Sequence, residues 1–321
     1  MERALAYIKS RQIWRAATIF IGFVIAGSLL YTLTPRESFV TQKTESLLDT
    51  TSFPSTKIDE SSSQSTNTYG EIKDKVAVIS DTQYTPRLIP LILHFHAVLG
   101  PSWPIILYTS PTILSQHLSP TSPNRSAIWQ RAVKDGRIQV RLIPEEFNLT
   151  SRNGVNLYLS RPWLWEQLAP AQHVLIFQTD AILCANAHST VDDFMEWDWI
   201  AAPLHGSEHL YNGGLSLRNR TMMLDILREG NNWEEETASG EWTMGGEDVW
   251  FSRKMDLRGA KLPSFTQALK FACQHEWHVS EEREPLGYHK VHKNIPNRVG
   301  EIEKWCPEIT LTAPGTLEPS T

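Results

Sequence analysis

The stretch that decides the fold is Val174-Leu-Ile-Phe-Gln-Thr-Asp180. Its apolar run predicts a buried strand, and Asp180 closes that strand. A carboxylate at this point is costly to bury unless a cation or a metal pairs with it. In an open α/β sheet, ligands bind outside the carboxyl ends of the strands. Asp180 is therefore a candidate anchor for a metal or a substrate, and the plain alternative is an Asp that caps the following turn.

Strands and helices alternate around this stretch. Strands are predicted over 75–80, 104–109, 139–143 and 174–179, and helices over 86–99, 128–135 and 157–168. This alternation predicts an α/β fold with a mostly parallel sheet flanked by helices. Further along, the predicted strands are 199–202 and 213–218, and the predicted helices are 221–229 and 247–254. From Phe271 onward the pattern is that of a loop-rich segment.

Length and composition define the general class of protein. The chain has 321 residues, 41% hydrophobic and 21% charged, which suits one substantial globular domain with appendages. We predict that this domain covers residues 73–308 and that a disordered, Pro- and Thr-containing tail follows at 309–321. The net charge of -6 and the lack of a basic patch argue against nucleic-acid binding.

The N-terminal region predicts a membrane anchor. An uncharged apolar run extends from Ala16 to Leu33, and as a helix it would span roughly 27 Å, enough for a thin early-secretory bilayer. Basic residues precede it, so residues 1–15 are predicted to be cytosolic and the rest lumenal. A cleaved signal peptide is the alternative, but the run is long and no small-x-small cleavage site follows. The Ser- and Thr-rich segment 34–72 is predicted to be a disordered stem.

Two further patterns fit a lumenal location in the ER or Golgi membrane. The sequons Asn124-Arg-Ser, Asn148-Leu-Thr and Asn219-Arg-Thr are candidate N-glycosylation sites. The three cysteines, Cys184, Cys273 and Cys306, permit one disulfide and leave one thiol. Their wide spacing is not that of a zinc site, and the sequence does not choose the pair.

A pair of acids at Gly245-Gly-Glu-Asp248 is the second candidate for chemistry. One interpretation is structural, because acids stabilise helix N-termini through the helix dipole. The other is a general base, since an attacking hydroxyl must lose its proton to a carboxylate. A flexible glycine pair before the acids would let a substrate approach closely.

Two more motifs carry candidate residues. Tyr211-Asn-Gly-Gly-Leu-Ser-Leu-Arg218 places two glycines where unusual dihedral angles or a close ligand approach are needed, or where a tight turn precedes a strand. Gly287-Tyr-His-Lys-Val-His292 offers two imidazoles, either of which could complete a metal site. A single His is more often an ordinary core or surface residue. The nearby Lys290 and Lys293 indicate a loop that faces a diphosphate, because ammonium groups stabilise phosphate charge.

Taken together, the motifs resemble a known enzyme family. Phe177-Gln-Thr-Asp180, Tyr211-Asn-Gly-Gly-Leu-Ser-Leu-Arg218, Glu247-Asp-Val-Trp-Phe251 and Pro285-Leu-Gly-Tyr-His289 stand in the order found in GT-A glycosyltransferases. They are similar to the lumenal galactosyltransferase-type enzymes. The resemblance is closer to a fungal family of uncharacterised, glycosyltransferase-like type II membrane proteins. It covers roughly residues 75–292 and implies a GT-A-like, Rossmann-related fold.

The resemblance also implies roles for individual residues. Asp180 would bind Mn²⁺, or Mg²⁺, together with the diphosphate, and His289 would be the distal metal ligand with His292 as a second candidate. Asp248, or else Glu247, would be the catalytic base. The implied substrate-binding residues are Asp81, Arg87, Gln178, Thr179, Asn212, Gly213, Gly214 and Gly246. Gln178 departs from the family pattern, because it stands where the first Asp of Asp-x-Asp is expected.

The implied activity is transfer of a sugar from a nucleotide-sugar donor to a hydroxyl acceptor, with inversion and assistance from Mn²⁺. The acceptor class, whether glycan, lipid or small metabolite, stays open. The alternative is a non-catalytic, membrane-tethered sugar-binding or scaffold protein on the same fold, which the loss of a carboxylate at Gln178 would suit. A metal-dependent hydrolase of sugar phosphates is less favoured, since it needs more clustered His and Asp.

Overall fold

The computed structural model describes residues 70–122, 126–204, 208–275 and 284–313. The predicted cytosolic tail, the anchor over 16–33 and nearly all of the predicted stem lie outside these residues, as does Asn124. Among the residues described, no helix is both long and apolar enough to cross a bilayer.

Within the described ranges, nine strands form two sheets. In chain order they are β1 (Lys75–Ser80), β2 (Ile105–Thr109), β3 (Ile138–Leu142), β4 (His173–Phe177), β5 (Ala181–Leu183), β6 (Trp199–Pro203), β7 (Tyr211–Asn219), β8 (Ala272–Cys273) and β9 (Gly287–His289). The large sheet has the order β3-β2-β1-β4-β7-β6. Strands β1 to β4 are mutually parallel where they pair, and β7 is antiparallel to both β4 and β6. The prediction of an α/β fold with a mostly parallel sheet is confirmed.

Four of the five predicted helices are found close to their predicted bounds, among eleven α-helices in the described residues. They are α1 (Leu88–Leu99), α2 (Pro111–Ile113, continued by a π-helical turn over Leu114–Leu118), α3 (Ala127–Lys134), α4 (Arg152–Leu159), α5 (Pro162–Gln167), α6 (Arg220–Arg228), α7 (Trp233–Ser239), α8 (Glu247–Leu257), α9 (Phe265–Phe271), α10 (Val291–Asn294) and α11 (Val299–Trp305). The single helix predicted over 157–168 is wrong. It is two helices, because Pro162 lacks an N–H and so begins α5 instead of continuing α4.

Helices cover both faces of the large sheet. Ala77 and Ile79 of β1 belong to one buried apolar cluster, while Val76 and Val78 belong to another. Neighbouring side chains of a strand point to opposite faces, so the sheet separates two cores. The central strands are apolar on both sides for this reason, as expected of a covered parallel sheet.

The small sheet and the C-terminal segment are formed largely by residues after Phe271, where the sequence shows no regular alternation of strands and helices. Strand β9 is central in the small sheet, antiparallel to β5 and parallel to β8. The segment predicted to be loop-rich therefore contains two short strands. Pro307–Thr312 forms a 3-10 helix in which Ile309 and Thr312 are buried, so the disordered tail predicted from residue 309 is wrong for residues 309–313.

A disulfide joins Cys184 to Cys306, and Cys273 is buried as a thiol. The bond closes a loop with a sequence separation of 122 residues. Cys184 directly follows β5, and the neighbouring Asn186 donates its amide to the carbonyl of Trp305 at 2.7 Å. The disulfide thus ties the C-terminal helices to the strand that follows Asp180.

We predict that replacing both Cys184 and Cys306 by Ser lowers the free energy of unfolding by about 3–5 kcal/mol. Without the bond, the long loop is no longer closed in the unfolded chain, whose conformational entropy therefore rises. Urea denaturation under non-reducing conditions measures this loss. Cys273→Ser is the matched control, since it also exchanges a buried sulfur for oxygen but opens no loop. Equal losses in the two proteins would contradict the prediction.

Candidate active site

The candidate site lies where β1 and β4 end and β7 begins. Because β7 runs antiparallel to β4, its first residues come to the edge at which β4 ends. The amide N–H of Gln178 donates to the carbonyl of Gly214 at 2.9 Å, which joins the two segments. Asp81 follows β1, and Asp180 is close enough for its charge to affect Asp81. Two acids, an amide and a glycine pair therefore meet at one edge of the sheet.

Asp81 is held in the turn after β1. Its carboxylate accepts a hydrogen bond from the backbone N–H of Gln83 at 2.7 Å. Burial raises the pKa of Asp81, and the charge of Asp180 raises it further, while the Gln83 amide opposes the rise. Asp81 thus carries a carboxyl that resists ionisation next to one that is already charged.

Asp180 contacts two basic side chains. Its Oδ1 lies 3.1 Å from His289 Nε2 and its Oδ2 lies 3.9 Å from Lys290 Nζ. Pairing of Ala181 with His289 in the small sheet produces this arrangement. Burial alone would raise the pKa of Asp180, but the hydrogen bond and charge of His289, together with the charge of Lys290, lower it below its usual value. Asp180 is therefore a carboxylate.

His289 is fully buried and positioned from both ring nitrogens. Its Nδ1 lies 3.0 Å from Gln274 Oε1, and its Nε2 faces Asp180. Burial lowers the pKa of His289, although the Asp180 carboxylate opposes this. His289 and Asp180, both predicted as metal ligands, thus lie side by side, and Gln274, which no sequence motif indicated, orients the ring.

Because Gly213 and Gly214 have no side chains, side chains from other segments can approach the backbone of β7 closely. A Cβ at Gly214 would lie 2.1 Å from His289 Nε2 and 2.7 Å from Gln178 Oε1. Neither Gly213 nor Gly214 has a positive φ angle. Unusual dihedral angles therefore do not explain these glycines, and the groups that approach them closely are side chains of the protein itself.

Gly214→Ala should lower the free energy of unfolding by about 1–3 kcal/mol, since the added methyl overpacks a buried ring that cannot move aside. The contact between His289 and Asp180 should be lost with it. Thermal unfolding measures the effect. Gly300→Ala on α11 is the control, because a Cβ there meets nothing within 4 Å. A Gly214→Ala protein as stable as the control would contradict this packing argument.

Asp248 is a half-buried carboxylate in the first turn of α8. Its Oδ2 accepts a hydrogen bond from Gly213 N–H at 3.0 Å, and its Oδ1 accepts one from Val249 N–H at 2.9 Å. Each carboxylate oxygen has a second lone-pair position. The carboxylate is thus fixed in orientation and can still accept a proton.

Glu247 has a different environment. It is only 2% exposed and forms an ion pair with Arg218, with 3.1 Å between Glu247 Oε2 and Arg218 Nη1. Burial raises the pKa of Glu247, and the Arg218 charge opposes the rise. Glu247 was predicted as the alternative base, and the buried guanidinium that occupies its carboxylate favours Asp248 for that role.

Arg218 joins the two motifs. Its guanidinium donates to the Gly213 carbonyl at 3.3 Å and to Ser216 Oγ at 2.9 Å. It also lies over the ring of Trp199, with 4.0 Å from Cζ to the ring centroid. Arg218 therefore links the start of β7 to the first residue of α8. Arg218 belongs to the 211–218 motif, but its position in the sequence did not indicate this role.

A cavity of about 460 Å³ opens beside these groups. The predicted site residues that line it are Gln178, Asn212, Gly213, Gly214, Gly246, Glu247 and Asp248. Lys290, from the loop predicted to face a diphosphate, also lines the cavity, and the other polar residues of the wall, which no sequence motif indicated, are Thr150, Ser151, Arg152, Asn156 and Gln274. The cavity thus combines two carboxylates, of which Glu247 is paired with Arg218, two cations and several amides, a set suited to a polar, anionic ligand.

Some predicted residues are not in this wall. Asp81, Thr179, Asp180 and His289 lie at or behind the strand ends, and Arg87 precedes α1. His292 Nε2 lies 3.0 Å from the carbonyl oxygen of Ile309, so this nitrogen must donate and cannot ligate. The prediction of His292 as a second metal ligand is wrong for that nitrogen.

The two described sequons differ. Asn148 is exposed in a turn in which its Oδ1 accepts from the amide of Thr150 at 3.0 Å. Asn219 Oδ1 caps α6, and its Nδ2 donates to Asp198 at 2.9 Å. Both polar atoms of the Asn219 side chain are thus hydrogen-bonded within the protein, which conflicts with the predicted glycan at this residue. Asn148 remains a predicted site.

Comparisons with known proteins give limited matches. Residues 137–289 match the model of a family described as "Protein of unknown function (DUF5672)". No curated protein matches the chain. The solved mannosyltransferase PcManGT from Pyrobaculum calidifontis, in complex with GDP-Man and Mn²⁺, is 11% identical over 58% of this chain and 53% of its own, with a TM-score of 0.39. Apo glycosyltransferase GlyE from Streptococcus pneumoniae TIGR4 is 12% identical over 68% of this chain and 54% of its own, with a TM-score of 0.41. The alignments thus span about half of each solved chain.

Proposed function

We propose that the protein is a glycosyltransferase that moves a sugar from a nucleotide-sugar donor to a hydroxyl acceptor. The observation that carries the proposal is the cavity at the strand ends, in which an oriented carboxylate, Asp248, faces the same space as Arg152 and Lys290. A diphosphate needs the cations, and an attacking hydroxyl needs the carboxylate.

Asp248 is the general base in this proposal. It accepts the proton of the acceptor hydroxyl as that oxygen attacks the anomeric carbon. Among the described residues that line the cavity, the acids are Asp248 and Glu247, and Glu247 is paired with Arg218. A single available carboxylate suits one displacement, and therefore inversion at the anomeric carbon, better than a mechanism that needs a second carboxylate as nucleophile.

The predicted Mn²⁺ or Mg²⁺ would have to be held by Asp180 and His289, with the neutral Gln178 nearby. Among the described residues, no group of three His, Cys, Asp or Glu side chains comes together. The second oxygen of Asp180 already faces the Lys290 ammonium at 3.9 Å. Asp81, the other acid at this edge, has a raised pKa, and Asp180 stands beside a fixed positive charge, so the protein itself offers a weak donor set and a divalent ion would depend on the substrate phosphates. These residues do not fit a divalent ion held by the protein.

The location proposed for the protein is the lumen of the ER or Golgi, behind the predicted anchor over 16–33. The Cys184–Cys306 disulfide supports it, since such bonds persist in oxidising compartments. In secretory-pathway expression, a gel-mobility shift sensitive to a glycosidase should disappear with Asn148→Gln and persist with Asn219→Gln. A shift that depends on Asn219 would contradict the argument from its cap.

A panel of nucleotide sugars tests the activity. The fragment that begins at residue 70 is purified with its disulfide, and each donor is scored by thermal shift and by hydrolysis. The correct donor should raise the melting temperature, because a ligand that binds only the folded state stabilises it by mass action. The proposed function fails if no nucleotide sugar binds or is hydrolysed. Binding without hydrolysis or transfer would favour the sugar-binding or scaffold alternative that Gln178 suggests.

A further inference from the structure

Lys290 occupies a backbone position that rarely accepts a lysine. Its φ is 56° and its ψ is 21°, in the left-handed region where glycine is favoured. It stands between β9 and α10, and its amide N–H donates to the carbonyl of Asp180 at 2.9 Å. A lysine held in this conformation is unusual, and here its side chain lines the cavity.

The side chain is also positioned by charge. Lys290 Nζ lies 3.9 Å from Asp180 Oδ2, while His289 engages Oδ1. This separation is longer than an N–H···O hydrogen bond. Asp180 therefore orients the ammonium without saturating its three donors, and the donors stay available to an anion in the cavity.

We infer that Lys290, rather than a divalent cation, neutralises the diphosphate that leaves during glycosyl transfer, and that Asp180 is a positioning residue for Lys290. The inference rests on the proposed function. Gln178 supports it, because a neutral amide stands where a second carboxylate would be needed to hold a divalent ion against a nearby ammonium. The cation that the site needs is thus part of the protein chain.

The reaction balances without a metal. The bond between the anomeric carbon and the diphosphate oxygen breaks, and its electron pair stays on that oxygen. The acceptor oxygen forms the new bond to carbon, and its proton passes to Asp248. The additional negative charge on the diphosphate develops in the cavity that Lys290 and Arg152 line, where a fixed cation stabilises charge in the transition state.

Lys290→Asn is the variant of choice, because Asn removes the charge yet tolerates the left-handed conformation. Lys290→Gly is a second variant that relaxes the same backbone. Lys293→Asn is the matched control, since Lys293 is exposed on α10 and is not in the cavity wall. Circular dichroism checks that all three proteins are folded.

Binding of inorganic pyrophosphate is measured by calorimetry in the presence of EDTA. We expect the natural protein and Lys293→Asn to bind, and both Lys290 variants to bind at least 10-fold more weakly. With the donor that the panel identifies, turnover should persist in EDTA and fall about 100-fold or more in Lys290→Asn.

Two results would overturn the inference while leaving the proposed function intact. One is turnover that needs added Mn²⁺ or Mg²⁺ and stops in EDTA. The other is pyrophosphate binding that is the same in the Lys290 and Lys293 variants. Conversely, pyrophosphate binding that depends on Lys290, with no donor bound or hydrolysed, would support the anion site and reject glycosyl transfer.

Discussion

Asp248→Asn should lower kcat by about 10²–10⁴-fold, the range that a positioned general base contributes. The amide keeps an oxygen that can accept from Gly213 N–H, as Oδ2 does now at 3.0 Å. It cannot take up the proton of the acceptor. Donor binding should therefore change little, because the cations that face the cavity are untouched. Initial rates of transfer, with donor affinity measured separately, check the expectation.

Asp256→Asn is the control for this experiment. Asp256 lies on the same helix and loses a carboxylate in the same way, but its partners are His209 and Arg253, outside the cavity wall. It should keep full turnover. If Asp248→Asn were as active as Asp256→Asn, Asp248 would not be the base, and the cavity would have to bind its ligand without this chemistry.

The Arg218–Glu247 pair should have an effect on stability as large as that of the disulfide. Arg218→Met or Glu247→Leu alone leaves one buried charge without its partner, which costs about 3–5 kcal/mol of unfolding free energy. The double variant removes both charges and should recover most of that loss, because apolar groups of similar size can replace a buried ion pair. Urea denaturation of the four proteins completes a double-mutant cycle.

Measurements of activity distinguish the contribution of the Arg218–Glu247 pair to stability from its contribution to the orientation of Asp248. Arg218 also holds the Gly213 carbonyl, and Gly213 N–H orients Asp248. The double variant should therefore be stable but impaired in kcat, with donor affinity retained. Losses that simply add in the cycle would refute the pairing argument. A fully active double variant would show that the pair serves stability alone.

Much of the sheet can be predicted from local pattern. The short runs at 75–80, 104–109, 139–143 and 174–179 each became a strand within about two residues, and the three apolar ones, 75–80, 104–109 and 174–179, became central strands while 139–143 became the edge strand β3. The burial of the central strands on two faces requires this composition. The break at Pro162 was missed because the pattern of Trp and Leu continues across it, although the missing N–H of Pro was a usable local signal.

The location of the site residues was predicted better from the sequence than their individual roles. Gln178, Asn212, Gly213, Gly214 and Asp248 were singled out and lie in or beside one cavity, since each belongs to a motif at the end or start of an element. The predicted roles of Glu247 and His292 are disfavoured by partners that local sequence does not show. Arg218 and Ile309 O supply those partners from distant parts of the chain.

The sequence by itself determined the class of fold and the candidate residues, because the spacing of apolar residues dictates strands and helices, and because turns and glycine pairs mark where strands end. Only the tertiary structure decided which acid is available. Asp248 and Glu247 are neighbours in sequence and both line the cavity, yet Asp248 accepts hydrogen bonds from backbone N–H groups while Glu247 is paired with a buried guanidinium. Asp180, likewise, was a carboxylate at the end of an apolar strand, and its partners became known only when β9 brought His289 and Lys290 beside it. Charge pairing depends on distances across the fold, and local sequence does not contain them.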